Sequence, residues 1–197
     1  MNTRRLYHQQ PDYFAFNAEN LARAHHEIAK YPEDRESSAV IALLWIGQEQ
    51  EGWVSRPMIE TVAEMLAMPP IRVLEVATFY TMFRLAPAGR HVVQVCTCVP
   101  CCLLGSDDVV KVCKKHIHEQ PQTVSEDGEF SWEESECLGA CVNAPVMQID
   151  ADTYEDLTPE QAADIIEATR RGENPKPGPQ NGRRGSEPLA AKSEVQS

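Results

Sequence analysis

His91-Val92-Val93-Gln94-Val95-Cys96-Thr97-Cys98-Val99-Pro100-Cys101 is a short apolar run that opens directly onto a cluster of thiols. Its β-branched residues predict a buried strand over His91–Val95, with Cys96 where the strand gives way to a loop. Cys137 and Cys141 lie downstream, and just after them Val146–Ile149 reads as another strand. Between the two cysteine groups the pattern predicts a helix from Ser106 to about His116, capped by Ser106 with Asp107 and Asp108 in its first turn. Short strands are expected at Thr123-Val124 and Phe130–Glu134, around the turn residues Glu126-Asp127-Gly128. Thr158-Pro159-Glu160-Gln161 has the form of a capping box with proline at the first helical position, and it opens a last helix to about Arg170. The order strand, helix, strand, strand, helix implies a small α/β sandwich over residues 89–171.

Upstream, Pro87-Ala88-Gly89 marks a boundary. Before it, residues 17–88 read as a small helical bundle behind an N-terminal arm of residues 1–16. Asn17–Lys30 carries Leu21, Ala24 and Ile28 at helical spacing and is closed by Pro32. Ser37 or Ser38 is placed to cap a second helix ending near Gly52. Ser55 caps a third with Pro57 in its first turn, and Met58, Ile59, Val62 and Leu66 share one face. Pro69-Pro70 ends that helix and opens a fourth, Ile71–Phe83, whose aromatics Phe79, Tyr80 and Phe83 are expected in a core or an interface. Downstream, residues 172–197 are rich in Pro and Gly and nearly free of large apolar side chains, the composition of a disordered basic tail.

Net charge is −12, and it is unevenly spread: residues 1–90 carry 9 basic and 11 acidic side chains, residues 91–169 carry 3 and 16, and residues 170–197 carry 6 and 3. The middle block is strongly anionic and holds every cysteine. A balance of this sign argues against nucleic acid as a partner, because phosphate binding needs a basic surface. Ala39–Ile46 is the longest apolar run and falls far short of the roughly 18 residues a membrane helix needs. No secretory signal is read in Met1–Tyr13, which has basic residues without an apolar core after them. A reducing compartment is then expected, where seven clustered thiols point to metal or redox chemistry rather than disulfides.

Four residues separate Cys96 from Cys101, three separate Cys137 from Cys141, and 35 lie between the pairs. Two loops at one sheet edge can bring four thiolates around one inorganic core. Soft, anionic sulfur is what an iron–sulfur core requires, and a two-iron cluster takes two thiolates per iron. Cys96 and Cys101 are expected on one iron, Cys137 and Cys141 on the other. Gly105 and Gly139 can let backbone N–H groups approach the sulfurs. A zinc site stays open on chemistry alone, although its usual pairs stand 12–20 residues apart. Cys98-Val99-Pro100-Cys101 also reads as a C-x-x-C redox pair between strand and helix, but a dithiol role leaves Cys137 and Cys141 unemployed. Cys113 reads as a buried small hydrophobe. His25, His26, His116 and His118 share no loop with a cysteine pair in the manner that mixed His/Cys ligation needs. There is no Gly-rich dinucleotide fingerprint and no hydrolytic constellation.

Phe79-Tyr80-Thr81-Met82-Phe83, Val95-Cys96-Thr97, Cys101, Gly105-Ser106-Asp107 and Glu136-Cys137-Leu138-Gly139-Ala140-Cys141-Val142-Asn143-Ala144-Pro145 together resemble the thioredoxin-like [2Fe–2S] subunit of bacterial NADH:quinone oxidoreductase, respiratory complex I. The resemblance covers about residues 15–170. It implies an α+β chain, an N-terminal small helical bundle followed by a thioredoxin-like α/β [2Fe–2S] domain. It implies one [2Fe–2S] cluster on Cys96, Cys101, Cys137 and Cys141, next to the flavin of a partner. That partner is the subunit binding FMN and NADH, with the large iron–sulfur subunit of the same proton-translocating complex as a second. The location implied is cytoplasmic, peripheral to the inner membrane through the complex, with no direct membrane insertion. A soluble NAD-dependent formate dehydrogenase or NAD-reducing hydrogenase, in which the same fold and cluster recur, is the alternative host. Two positions depart from the family pattern, which has Thr at Cys98 and Trp at Cys102. Both are expected to be spectators, or replacement ligands if Cys96 or Cys101 is lost.

Overall fold

The computed structural model describes residues 4–186. It divides into two compact units, the first running to Ala88 and the second starting at Gly89. Four helices build the first unit: α1 (Ala18–Ile28), α2 (Val40–Glu51), α3 (Arg56–Met65) and α4 (Pro70–Phe79). Asn17 caps α1 by accepting the Asn20 amide, and Ser55 caps α3 by accepting the Met58 amide at 3.3 Å. Neither Ser37 nor Ser38 caps α2, because both lie inside a separate 3-10 turn, Glu36–Ala39, that leads into it. Gly52 closes α2 with φ 82°, a left-handed conformation that suits glycine.

The fourth helix stops at Phe79 and does not continue to Phe83. Beyond Tyr80 the chain makes a tight turn, closed by the Phe83 amide donating to the Tyr80 carbonyl at 3.2 Å, and tertiary bonds outbid helix propensity. The buried Gln48 side chain donates to the Met82 carbonyl at 3.0 Å and accepts the Arg84 amide at 2.6 Å. That bend drops Phe83 into the core beside Leu43, Leu44, Met58, Val62 and Val73, and leaves Phe79 exposed. The N-terminal arm is part of this unit. Phe14 and Phe16 are buried in the same core, and the Arg4 guanidinium donates to the Thr78 and Tyr80 carbonyls at 3.0 and 2.6 Å.

The second unit has β1 (His91–Cys96), α5 (Val99–Leu103), α6 (Ser106–His116), β2 (Phe130–Ser135), β3 (Met147–Ile149), β4 (Asp152–Glu155), α7 (Pro159–Arg170) and β5 (Gly178–Pro179). Its sheet runs in the order β2-β1-β3-β4-β5. β1 pairs parallel with β2 and antiparallel with β3, which forms a tight hairpin with β4; β5 joins β4 in parallel. Val93, Val95, Phe130, Trp132, Met147 and Ile149 make the sheet's share of the core, and Val109, Cys113, Ala162, Ile165 and Ile166 supply the helical share. The capping box of α7 is complete, with Thr158 and Gln161 bonded in both directions. The architecture is the α+β arrangement of helices and a mixed sheet expected of a thioredoxin-like fold.

Three local expectations are corrected. Ser106 is the first helical residue of α6 rather than its cap; Gly105, at φ 102°, takes the cap position, and the buried Ser106 hydroxyl turns back to donate to the Cys102 sulfur at 3.7 Å. Thr123-Val124 is not a strand, although Gln122 and Ser125 on either side bond to Trp132 and Phe130 of β2. The expected disordered tail is fastened to the unit as far as residue 186. The Gln180 amide donates to the Glu155 carbonyl at 3.0 Å, and Ser186 bonds the Glu155 carboxylate. Polar contacts, not apolar side chains, hold this segment, so its composition concealed it. The rest of that tail, 187–197, lies outside the described residues.

Candidate functional site

Parallel pairing of β1 with β2 sets Cys96 opposite Ser135, two residues before Cys137. Antiparallel pairing with β3 brings the other loop to the same end: the Cys96 amide donates to the Val146 carbonyl at 3.0 Å. One ladder end thus gathers the loop after β1, the short helix α5, and the loop of residues 136–146. All four cysteines singled out from the sequence stand there. Cys96 and Cys101 are buried and pack with Ala140, Ala144 and Val146, while Cys137 and Cys141 are exposed.

The sulfurs act on one another. Cys137 Sγ and Cys141 Sγ are 3.7 Å apart. Two sulfurs bound to one metal at about 2.3 Å in tetrahedral geometry stand about 3.8 Å apart, so this pair already has the spacing that a shared metal imposes. The Cys96 thiol donates to the Glu136 carbonyl at 3.0 Å. Burial pushes the Cys101 thiol up to about 12, with Cys96 beside it and the charge of Cys141 acting in the same sense; the Val146 backbone N–H opposes them. Cys137 is pulled below its ordinary value, first by the Gly139 backbone N–H and then by the Cys141 thiol. Cys141 is raised, chiefly by Cys137, with Cys96 also contributing. Each of the four therefore acts on, or is acted on by, another of the four.

The donor set fits a two-iron core. It consists of thiols in two pairs, and the backbone amides of Gly139 and Val146 act to lower the Cys137 and Cys101 thiols, the sense in which anionic sulfur ligands are stabilised. Among the described residues, no three His, Cys, Asp or Glu side chains converge on a point that would hold a single metal ion. Gly139 serves this site through its φ of 85° and its N–H. Gly105 does not: its N–H goes to the Cys102 carbonyl at 3.3 Å.

The additional thiols part company. Cys98 is half-buried at the start of α5, packs against the Cys96 and Cys101 group, and acts on the Cys137 thiol as a hydrogen-bonding neighbour. Cys102 is exposed and turned aside, donating to the Thr97 carbonyl at 3.0 Å. Cys113 lies in the core of the unit between α6 and the sheet. His116 is bonded to Glu167 at 3.0 Å and His118 accepts the Gln120 amide at 3.0 Å.

Sequence reasoning missed several contributors. The Val146 amide and the Glu136 carbonyl are backbone groups that no residue type advertises. Val99, Leu103, Leu104 and Val142 are large, apolar and exposed on the elements that carry the cysteines. Leu103-Leu104 after Cys101-Cys102 was a readable signal, since two apolar residues followed by Gly105 at a helix end have no core to face on both sides.

A family model described as thioredoxin-like [2Fe-2S] ferredoxin matches residues 24–170. The E 1 component of the NADH-quinone oxidoreductase of Rhizobium meliloti (strain 1021) is 53% identical over 201 residues, covering 100% of this chain and 73% of its own length. The E component of the NADH-quinone oxidoreductase of Rickettsia bellii (strain RML369-C) is 52% identical over 158 residues, 80% of this chain and 95% of the relative. Among solved structures, an NAD+-reducing [NiFe]-hydrogenase in the H2-reduced state aligns with a TM-score of 0.59 at 18% identity, over 69% of this chain and 23% of the hydrogenase chain. That last likeness speaks to fold.

Proposed function

This chain belongs to the thioredoxin-like [2Fe-2S] ferredoxin family, and we propose that it is the electron-transfer [2Fe–2S] subunit of an NADH:quinone oxidoreductase. In this reading one [2Fe–2S] cluster exchanges single electrons with the flavin of a partner subunit. The observation that carries the reading is the mutually interacting group of Cys96, Cys101, Cys137 and Cys141 at one ladder end, in a chain whose relatives at 53% and 52% identity bear the name of that component. A cluster held there supplies a site that accepts and returns one electron at a time. Cys96 and Cys101 would bind one iron, Cys137 and Cys141 the other. Backbone N–H groups of Gly139 and Val146 stabilise negative charge on the sulfurs, while the 16 acidic side chains of residues 91–169 oppose an added electron. The balance favours a low potential, in the lower part of the roughly −700 to +450 mV range of such clusters.

NADH and FMN belong to the partner in this reading, and the exposed Val99, Leu103, Leu104 and Val142 give that flavoprotein an apolar surface to meet beside the thiols. The large iron–sulfur subunit is the second expected neighbour. Among the described residues no helix is long and apolar enough to cross a membrane, which fits peripheral attachment through the complex. Relatives at half identity favour this host over a soluble NAD-linked enzyme, because the hydrogenase likeness, at 18% identity, carries the fold alone.

Electron paramagnetic resonance of anaerobically reduced protein tests the ligand set. A two-iron signal is expected to be lost or strongly altered in Cys96→Ser, Cys101→Ser, Cys137→Ser and Cys141→Ser, and kept in Cys98→Ser and Cys102→Ser. A signal that survives Cys101→Ser but not Cys98→Ser would overturn the assignment. Purification of the tagged chain from its own cell tests the host: quinone-reducing membrane subunits should accompany it, and a soluble hydrogenase or formate dehydrogenase in their place refutes it.

A further inference from the structure

The segment that looked like a tail makes its bonds at the cysteine turn. We propose that residues 178–186 form a clasp that fixes the turn Cys141–Asn143 and so positions the Cys141 thiol; this rests on the reading of Cys141 as a cluster ligand. Gly178 and Pro179 pair with Tyr154 and Glu155 of β4. The chain then reverses, and three residues reach the turn or its support. The Arg183 guanidinium donates to Asp156 Oδ1 at 2.9 Å and to the Val142 carbonyl at 3.3 Å. The Arg184 carbonyl accepts Asn143 Nδ2 at 2.8 Å, and the same amide group donates to Glu155 Oε2 at 2.7 Å. The Ser186 hydroxyl donates to Glu155 Oε1 at 2.5 Å. Val142 and Asn143 are the two residues directly after Cys141, and Asn143 is tied again from behind, its carbonyl accepting the Asp156 amide at 2.7 Å.

Burial makes these bonds decisive. Asn143 is 2% exposed and Glu155 3% exposed. Polar groups so far from water must keep their partners, because an unpaired one costs its full desolvation. Of the five side-chain bonds made by this pair among the described residues, Ser186 and Arg184 supply four. Arg183 sets its positive charge against Asp156, whose side chain is 7% exposed. Cys141 itself is exposed and sits on a three-residue turn outside any strand, so the placement of its backbone determines where its sulfur stands relative to Cys137. A ligand is held to useful tolerance when the groups behind it are themselves fixed. The clasp lies beyond residue 170, where the match to the family model ends. It is therefore an addition to the matched domain, applied at one of its thiols.

The test uses the full chain with Arg183→Ala, Arg183→Lys and Arg184→Ala. The Arg184 change removes the same charge and leaves its carbonyl in place. In the cluster-free protein, amide hydrogen exchange over residues 141–143 should quicken about tenfold in Arg183→Ala, the scale of one charge-assisted hydrogen bond lost from a locally opening segment. It should be unchanged in Arg184→Ala and partly restored in Arg183→Lys, whose single ammonium can keep Asp156 but not both acceptors. In the reconstituted protein, Arg183→Ala should release iron to a chelator several-fold faster and alter the line shape of the reduced two-iron signal. Should Arg183→Ala fail to fold, Ser186→Ala is expected to show the same exchange effect at smaller size. Unchanged exchange over residues 141–143 in a folded variant overturns the clasp. Absence of a two-iron signal from the unaltered protein overturns the cluster reading instead, and the exchange result then decides the clasp by itself.

Discussion

Replacing Gly89 with Ala should weaken the whole sheet that presents the thiols. A Cβ at Gly89 would stand 2.2 Å from the Phe130 carbonyl carbon and 2.6 Å from its Cα and oxygen. Carbon atoms in good contact are about 3.5–4.0 Å apart, so one of the two segments must retreat by about 1 Å or more. Neither can do so freely. The atoms struck are the main chain of the first β2 residue, locked by its pairing with His91. Retreat would break the bond from the Gly89 amide to Ser131 Oγ, 3.2 Å, and stretch that from the Arg90 amide to the Gly128 carbonyl, 3.2 Å. Overpacking of this kind costs about 1–3 kcal/mol, and each hydrogen bond adds about 1 kcal/mol. The sum, about 2–5 kcal/mol, is a large part of the roughly 5–15 kcal/mol that holds a domain together. For a unit of this size that lowers the melting temperature by about 10 °C or more. The assay is urea unfolding together with hydrogen exchange of the β1 and β2 amides, comparing Gly89→Ala with the unaltered chain. A loss below about 0.5 kcal/mol, the range of a surface change, refutes the inference from close approach.

Two pH-dependent outcomes follow from groups away from the cluster thiols. Burial pushes the Cys113 thiol up to about 12; against an ordinary value near 8.5, its thiolate at pH 8 should be scarcer by about three orders of magnitude, and mass spectrometry after alkylation should show Cys113 unmodified until urea unfolds the chain. The same group stabilises the fold fully below about pH 8.5, where both states hold the proton, and that contribution should fade as pH rises toward about 12, so Cys113→Ala should show a shallower alkaline decline of the urea midpoint. Asp127 is held below the usual carboxylate range by the Ser125 hydroxyl, then by the Glu129 amide and the Arg170 charge. Its contribution is present above the ordinary carboxylate value and lost as pH falls through the lowered one, so Asp127→Asn should flatten the acid limb of the midpoint curve, and an unchanged acid limb refutes the linkage.

What could be read from the sequence was what local chemistry decides. Thr158 and Gln161 announce the start of α7 because a capping box is complete within four residues. His91–Val95 announces β1, and the pairing of cysteines announces where loops must meet. The readings that failed involve partners remote in sequence. Phe79–Phe83 has every mark of a continuing helix, but the side chain of Gln48 claims Met82 and Arg84. Ser106 has the type and place of a cap, but its hydroxyl is spent on Cys102 while Gly105 makes the turn. Residues 172–186 lack the apolar side chains by which order is usually recognised, and they are ordered by Glu155, Asp156 and Asn143, all distant in sequence. The short strand β4 was missed because its hairpin turns on Asp150, at φ 53°, a conformation that is uncommon outside glycine.

The position of β5 along the chain also gives the site a history. Cys141 is made 37 residues before Gly178, and at about 5–20 residues per second a ribosome needs roughly two to seven seconds to cover that distance. For that interval every thiol of the group has been synthesised while the segment that pairs with β4 has not. Biosynthesis therefore passes through a stage in which Cys141 is present on a turn still lacking its bonds from residues 178–186, and the polypeptide completes its own enclosure of that turn afterwards.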